Sequence, residues 1–159
     1  MRLYRLGQEA YAEHVLRGEG GLAQSGRWHT LGCRVVYCAS VEALSVLEVR
    51  VNFGNRLPSV PYVMHTIEVP EEAIIAIEPK SLPADWNAVP LEPASQRLGA
   101  DWLGSLGSLG LRVPSIHSRT DYNVLLNPLH PSCERVRVLD RYRYSFDHRL
   151  FAMPGVRSH

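Results

Sequence analysis

An excess of either charge is missing from this 159-residue chain: seventeen Lys and Arg stand against sixteen Asp and Glu, a formal net charge of +1. A near-neutral chain lacks the basic footprint by which proteins hold nucleic acid or anionic membranes, although a locally basic pocket fits that balance. Cysteine is scarce. Cys33, Cys38 and Cys133 are odd in number and form no C-x-x-C pair, which points to free thiols in a reducing cytosol. The seven histidines contain no H-x-x-x-H spacing, so no metal site is expected. No apolar signal core opens the chain and no run approaches membrane-spanning length, so a soluble, cytoplasmic protein is expected. The G-E-G-G stretch at Gly18 lacks the preceding strand and third glycine of a dinucleotide fingerprint, and no G-x-S-x-G elbow marks a hydrolase serine.

The composition is that of a soluble globular protein, with 45% hydrophobic and 21% charged residues. A chain of this length buries roughly two thirds of its unfolded surface, enough for one domain without a disulfide or metal staple. One domain is expected over 1–151, with a loose tail over 152–159.

Periodicity and turn residues predict the elements in order. Residues 3–6 read as a strand with Tyr4 and Arg5 on opposite faces, and 8–16 as a short helix. Gly18, Gly20 and Gly21 mark a mobile loop. Residues 34–38 read as a strand, and Ser40 is placed to cap a helix that ends before Gly54. Strands are predicted over 62–69 and 74–77, then an irregular proline-rich segment over 79–93. A helix over 96–106 sets Leu98, Trp102 and Leu106 near one face, and the Gly104–Gly110 repeat is too short for a solenoid. Residues 111–114 are extended, and 122–126 form a strand stopped at Asn127-Pro128. Over 135–140, Val136 and Val138 alternate with Arg135 and Arg137 as in a half-buried strand. Several short strands with two or three helices, and no regular β-α alternation, predict an α+β fold.

Six side chains invite a functional reading. Glu48 falls between Val41 and Leu44 in helical projection and close to Val51, on the side expected to face the core. A carboxylate there needs a partner: a ligand-binding role and a buried ion pair to Arg27 or Arg5 are equally consistent with periodicity. Arg27 sits between Gly26 and Trp28, where glycine permits close backbone approach and guanidinium suits phosphate, although a surface turn arginine is the commoner case. Arg5 has the same ambiguity. Tyr37, between Val36 and Cys38, is either a core aromatic or a ring stacked on a planar ligand. Ser115 follows Val113-Pro114 at a strand end, and Asn127 opens the rigid corner Asn127-Pro128-Leu129-His130-Pro131, where backbone capping is its commoner duty.

Taken together, Gly26-Arg27-Trp28, Val36-Tyr37-Cys38-Ala39-Ser40, Ala43-Leu44 through Leu47-Glu48, Val113-Pro114-Ser115, and Tyr122 to Pro128 with His130 resemble the RES domain, named for its arginine, glutamate and serine. The resemblance runs from about Tyr4-Arg5 to Arg149-Leu150-Phe151. It implies a single compact domain similar to the ADP-ribosyltransferase fold, with short-stranded mixed sheets and flanking helices. It also implies a toxin of a bacterial toxin–antitoxin pair that consumes NAD. By position Arg27, Glu48 and Ser115 are the eponymous residues, Tyr37 is a further pocket residue, and Arg5 matches an arginine near the family's N-terminus. Arg5, Arg27, Tyr37, Ser115 and Asn127 are the expected NAD-contacting set. Two positions depart from the family pattern. His29 stands where many members have asparagine, which bears on pocket hydrogen bonding, and Tyr4 stands where many have tryptophan.

The implied chemistry suits these residue types. Nicotinamide leaves NAD as a neutral ring and needs no strong general acid, while the ribose passes through an oxocarbenium-like state that a carboxylate stabilises. NAD is then a substrate, not a recycled cofactor, and the acceptor is water, inorganic phosphate or a specific protein. An Xre-like helix-turn-helix antitoxin that blocks the pocket is the implied partner, and homodimerisation is a family-level expectation. DNA contact would belong to that partner. A catalytically dead antitoxin-binding module is disfavoured by the intact Arg27, Glu48 and Ser115. A ribonuclease toxin is disfavoured by the absence of paired histidines and a basic face.

Overall fold

A computed structural model describes residues 1–151; the expected loose tail over 152–159 lies outside the described residues. Seven strands are formed by Arg2–Gln8 (β1), Val36–Ala39 (β2), Tyr62–Glu68 (β3), Ile74–Ala76 (β4), Gly110–Pro114 (β5), Tyr122–Leu126 (β6) and Arg137–Tyr144 (β7). They build one sheet in the order β4-β5-β6-β2-β1-β3-β7. Only β4 and β5 run parallel; the other neighbours are antiparallel. The α-helices are Gly20–Ala23 (α1), Glu42–Arg50 (α2) and Pro93–Ser105 (α3), joined by short 3-10 turns. This mixed sheet with flanking helices is the expected α+β fold.

Alternation along the strands makes a sheet buried on both faces. Leu3, Val36, Cys38, Val124 and Leu126 meet Ile67, Val69 and Leu109 on one face. On the other, Leu111, Val113 and Leu125 pack against Trp102 and Leu103 of α3. Farther along that second face, Leu6, Tyr62 and Met64 pack against Val46 and Val49 of α2. The two helices thus cover the same face at different places, and the space between them is left to the site.

α3 starts with proline at its first turn, where the missing N–H costs nothing, and stops at Leu106 in a left-handed conformation (φ 52°). Its Gly99 lies against the Trp28 backbone so closely that a Cβ would come within 1.8 Å of the Trp28 carbonyl oxygen. At the C-terminal end of α2, Arg50 donates to the Leu150 carbonyl from Nε at 2.8 Å and Nη2 at 2.6 Å, with its guanidinium over the Phe151 ring.

Four local expectations change. Ser40 does not cap α2; Val41 is the cap residue, and the Ser40 hydroxyl accepts the Tyr122 N–H at 3.1 Å, drawn there by the β2–β6 pairing. Of the glycines expected in a mobile loop, Gly18 and Gly21 are buried and close-packed while Gly20 is exposed: α1 forms there, and a Cβ would meet the Val35 nitrogen at 2.6 Å on Gly18 (φ 64°) and the Cys33 carbonyl oxygen at 2.0 Å on Gly21. Glu9–Arg17 is a 3-10 helix with a kink at His14. Finally, β7 is a sheet edge, exposed along almost its whole length rather than half-buried, with Val138 and Leu139 both open to solvent.

Candidate active site

The sheet parts between β1 and β2, which share a single register pair, Tyr4 with Ala39. Continued pairing would set Leu6 opposite Tyr37, but other groups satisfy these two backbones. The Leu6 N–H donates to Ser45 Oγ on α2 at 2.7 Å, and the Tyr37 carbonyl accepts from Arg5 Nη1 at 2.8 Å. The gap opens into a cavity of about 790 Å³, within the range of small-molecule sites.

Glu48 enters this cavity from α2, one turn beyond the buried Leu44 and Ser45. Its Oε1 accepts two hydrogen bonds, from Ser115 Oγ at 2.8 Å and Asn123 Nδ2 at 2.6 Å. Its Oε2 lies 3.7 Å from His117 Nε2, and the side chain is 34% exposed. The ion pair to Arg27 or Arg5 is not formed. Two neutral donors hold the carboxylate in its place, so its negative charge stays available to a ligand. The helix presents this acid differently from its projection: Leu47 and Val51 turn outward to solvent.

Ser115 follows β5 directly and is buried, accepting the His117 N–H at 3.0 Å while it donates to Glu48. Arg27 projects from a tight hairpin in which Gly26 and His29 pair, and its Nη1 donates to the carbonyls of Trp86 at 2.7 Å and Ala88 at 3.1 Å. The proline-rich segment, irregular as expected there, therefore orients the cavity's arginine. Its other N–H groups remain for an anion.

Tyr37 lines the cavity from β2, and its hydroxyl accepts the Trp28 N–H at 3.1 Å. Burial raises the pKa of this phenol well above its ordinary value, outweighing the Trp28 N–H, so the group is neutral at physiological pH. Arg5 is partly buried, and desolvation pulls its guanidinium below the ordinary value while Cys38 and Tyr37 act the other way. Its Nε has no hydrogen-bond partner, and among the described residues no carboxylate pairs with it. Burial also pushes the Cys38 thiol up to about 12, making it inert.

Asn127 is the exception among the expected site residues. It does not line the cavity; it is buried, donating from Nδ2 to the Leu103 carbonyl at 2.8 Å and accepting the Leu129 N–H at 3.1 Å. That corner clamps the end of α3 to the turn after β6.

The RES domain model matches residues 2–147. The chain belongs to the RES domain family. Toxin Res of Photorhabdus laumondii subsp. laumondii is 34% identical over 151 residues, spanning 94% of this chain and 97% of that protein. Toxin Res of Pseudomonas putida is 36% identical over 155 residues, 95% and 100% of the two. A protein of Sphingobium sp. named Prs ADP-ribosylating toxin is 34% identical over 145 residues, 88% and 89% of the two. The fold is that of a chain in the crystal structure of the M. tuberculosis MbcT-MbcA toxin-antitoxin complex, with TM-score 0.73, 18% identity and coverage of 94% and 86%.

Arg27, Glu48 and Ser115 line one cavity with Tyr37 and Arg5. Two further residues of the site escaped sequence reasoning. Asn123 is a polar residue inside the apolar strand β6, and that placement was its signal: a buried amide must find a partner. His117 stands in an irregular loop after Ser115 and carries no periodic signal. Among the described residues, no helix is long and apolar enough to cross a membrane.

Proposed function

We propose that this RES domain is the toxin of a toxin–antitoxin pair and cleaves the nicotinamide–ribose bond of NAD, with water or inorganic phosphate as acceptor. The observation that carries the reading is the placement of Glu48: one carboxylate oxygen is held by Ser115 and Asn123, and the other, 3.7 Å from His117 Nε2, lies in a cavity that Arg27 and Tyr37 also line.

The bond between ribose C1′ and the nicotinamide nitrogen breaks, and its electron pair goes to the ring, which leaves neutral. Positive charge then develops on C1′ and the ribose oxygen. The Glu48 carboxylate faces that charge and accepts a ribose hydroxyl, an interaction strongest in the transition state. Ser115 and Asn123 hold its other oxygen, so no reorganisation is needed at the moment of reaction. Arg27 binds the pyrophosphate with the N–H groups not committed to Trp86 and Ala88, and Arg5, also lining the cleft, adds positive potential. The neutral Tyr37 ring packs against the nicotinamide end. Water or phosphate forms the new bond to C1′; with water, the proton released passes to solvent or to His117, beside Glu48. No metal or recycled cofactor enters this scheme, and NAD as substrate suits a protein working in the cytoplasm.

The name of the Sphingobium relative supports a second reading, in which the acceptor is one cellular protein. For the partner, a cleft rimmed by the exposed apolar residues Val51, Leu91 and Ile116 suits an antitoxin that plugs it. An Xre-like helix-turn-helix protein would also supply the DNA contact that this near-neutral chain is not built for.

Mass spectrometry of the ADP-ribose product tests the reaction and the acceptor together. Purified protein with NAD alone should release nicotinamide and free ADP-ribose, and added phosphate should divert product to the 1-phosphate. Nicotinamide release only when a protein substrate is present, with a mass increase on that substrate, would establish the second reading instead.

A further inference from the structure

His29 is 5% exposed and belongs to none of the roles above. Both its ring nitrogens are engaged: Nε2 lies 2.8 Å from the Gln24 carbonyl oxygen, and Nδ1 lies 2.8 Å from the Tyr37 hydroxyl. A carbonyl only accepts, so Nε2 carries the proton. Burial lowers the pKa of this imidazole and favours its neutral form, which leaves Nδ1 bare. The Tyr37 O–H must then donate to Nδ1, while its oxygen accepts the Trp28 N–H at 3.1 Å. Every proton in this chain has one direction, from Trp28 through Tyr37 and His29 to Gln24.

Two glycines make room for the ring. A Cβ on Gly26 would come within 2.7 Å of His29 Cε1, 2.9 Å of Nδ1 and 3.0 Å of the Tyr37 hydroxyl. A Cβ on Gly21 would come within 3.1 Å of Cδ2 and Nε2. The imidazole is therefore enclosed between α1 and the hairpin that carries Arg27, and its reach to Tyr37 ties that hairpin to β2.

We infer that His29 is a positioning residue, a fixed-tautomer link that aims the Tyr37 hydroxyl away from the cavity and holds the Arg27 hairpin in register with β2. It touches no reacting atom; it acts through Tyr37 and Arg27. Its kinetic consequence rests on the NAD-cleaving reading, whereas the hydrogen-bond pattern does not.

Three variants separate the link from simple packing. Asparagine places its side-chain oxygen near the position of Nδ1, so His29→Asn keeps an acceptor for Tyr37. Glutamine places its amide near Nε2, so His29→Gln keeps the Gln24 contact and loses the Tyr37 acceptor. His29→Phe fills the volume with neither. Expected in NAD cleavage is a loss of about tenfold or more for Gln and Phe, with recovery to within about threefold of wild type for Asn. The loss should fall on kcat and KM together, since both Tyr37 and Arg27 shift. Nitrogen-15 NMR of the full chain reads the tautomer directly, with Nε2 protonated and Nδ1 bare at neutral pH. Equal turnover for His29→Gln and wild type, or a protonated Nδ1, overturns the inference. If wild type cleaves no NAD, the functional reading fails and the NMR result alone decides whether the link exists.

Discussion

Arg5 Nη1 donates to the Tyr37 carbonyl oxygen at 2.8 Å, across the place where β1 and β2 stop pairing. An arginine that sequence presents as a phosphate ligand is thus also the group that satisfies an orphaned strand carbonyl in the cleft. Arg5→Met should leave that carbonyl without its donor and lower stability by about 1–3 kcal/mol, read as a lower denaturant midpoint at unchanged slope. An unchanged midpoint with weakened NAD binding would make Arg5 a ligand residue alone.

Ser115 and Asn123 act on the same oxygen of Glu48. Ser115→Ala and Asn123→Ala should each lower kcat by about tenfold, with smaller changes in KM, because they orient a group used in the transition state. Since both act through Glu48, the double variant should lose less than the product of the single losses. Fully multiplicative losses would mean the two side chains work independently.

Acid should weaken the fold in a defined window. Burial lowers the pKa values of His29 and His65 below 6.5 in the folded state. The unfolded chain therefore binds more protons in that range, so stability rises with pH there. It is complete above the unfolded value of 6.5, is lost as pH falls through the folded values, and then levels off. Melting at about pH 7.5 and about pH 5 should show a lower midpoint in acid, with a smaller drop in His29→Asn. The depressed carboxyls of Glu72 and Asp147, each held by an arginine, act only in stronger acid. A midpoint that is flat across this range would contradict the burial of both rings.

Gly99→Ala should cost at least about 1–3 kcal/mol, because its Cβ would strike the Trp28 carbonyl oxygen and push α3 from the Arg27 hairpin. Ala100→Gly, one residue along the same helix, is the control; it should cost about 1 kcal/mol from helix propensity alone and leave NAD turnover intact. The prediction fails if Gly99→Ala melts no lower than that control.

Much of this architecture was legible because neighbouring residues agree. Short apolar runs bounded by turn residues marked β3, β6 and the strand carrying Tyr37, and the apolar surroundings of Glu48 flagged a carboxylate in need of partners. What was hidden depended on contacts distant in sequence. Ser40 has the chemistry of a cap, but the pairing of β2 with β6 brings it to the Tyr122 N–H instead. Asn123 could be read as an ordinary strand residue until α2 and β6 were seen to share a cavity wall. Asn127 followed the opposite course: its capping reading, the commoner one, is the one realised at Leu103 and Leu129, and its side chain does not line the cavity. The exposed β7 shows the limit of alternation, which predicts a buried face but not whether anything lies beyond the sheet edge.

Nicotinamide release from NAD, compared between wild type and Glu48→Gln in folded, antitoxin-free protein, tests the central claim most directly. The substitution keeps the side chain's size and its contact atoms while removing the negative charge. Wild-type protein should turn over NAD, with more than about a hundredfold loss in Glu48→Gln at unchanged melting temperature. Equal release from the two proteins, or none from wild type with water, phosphate and a cellular protein extract each offered as acceptor, would contradict it.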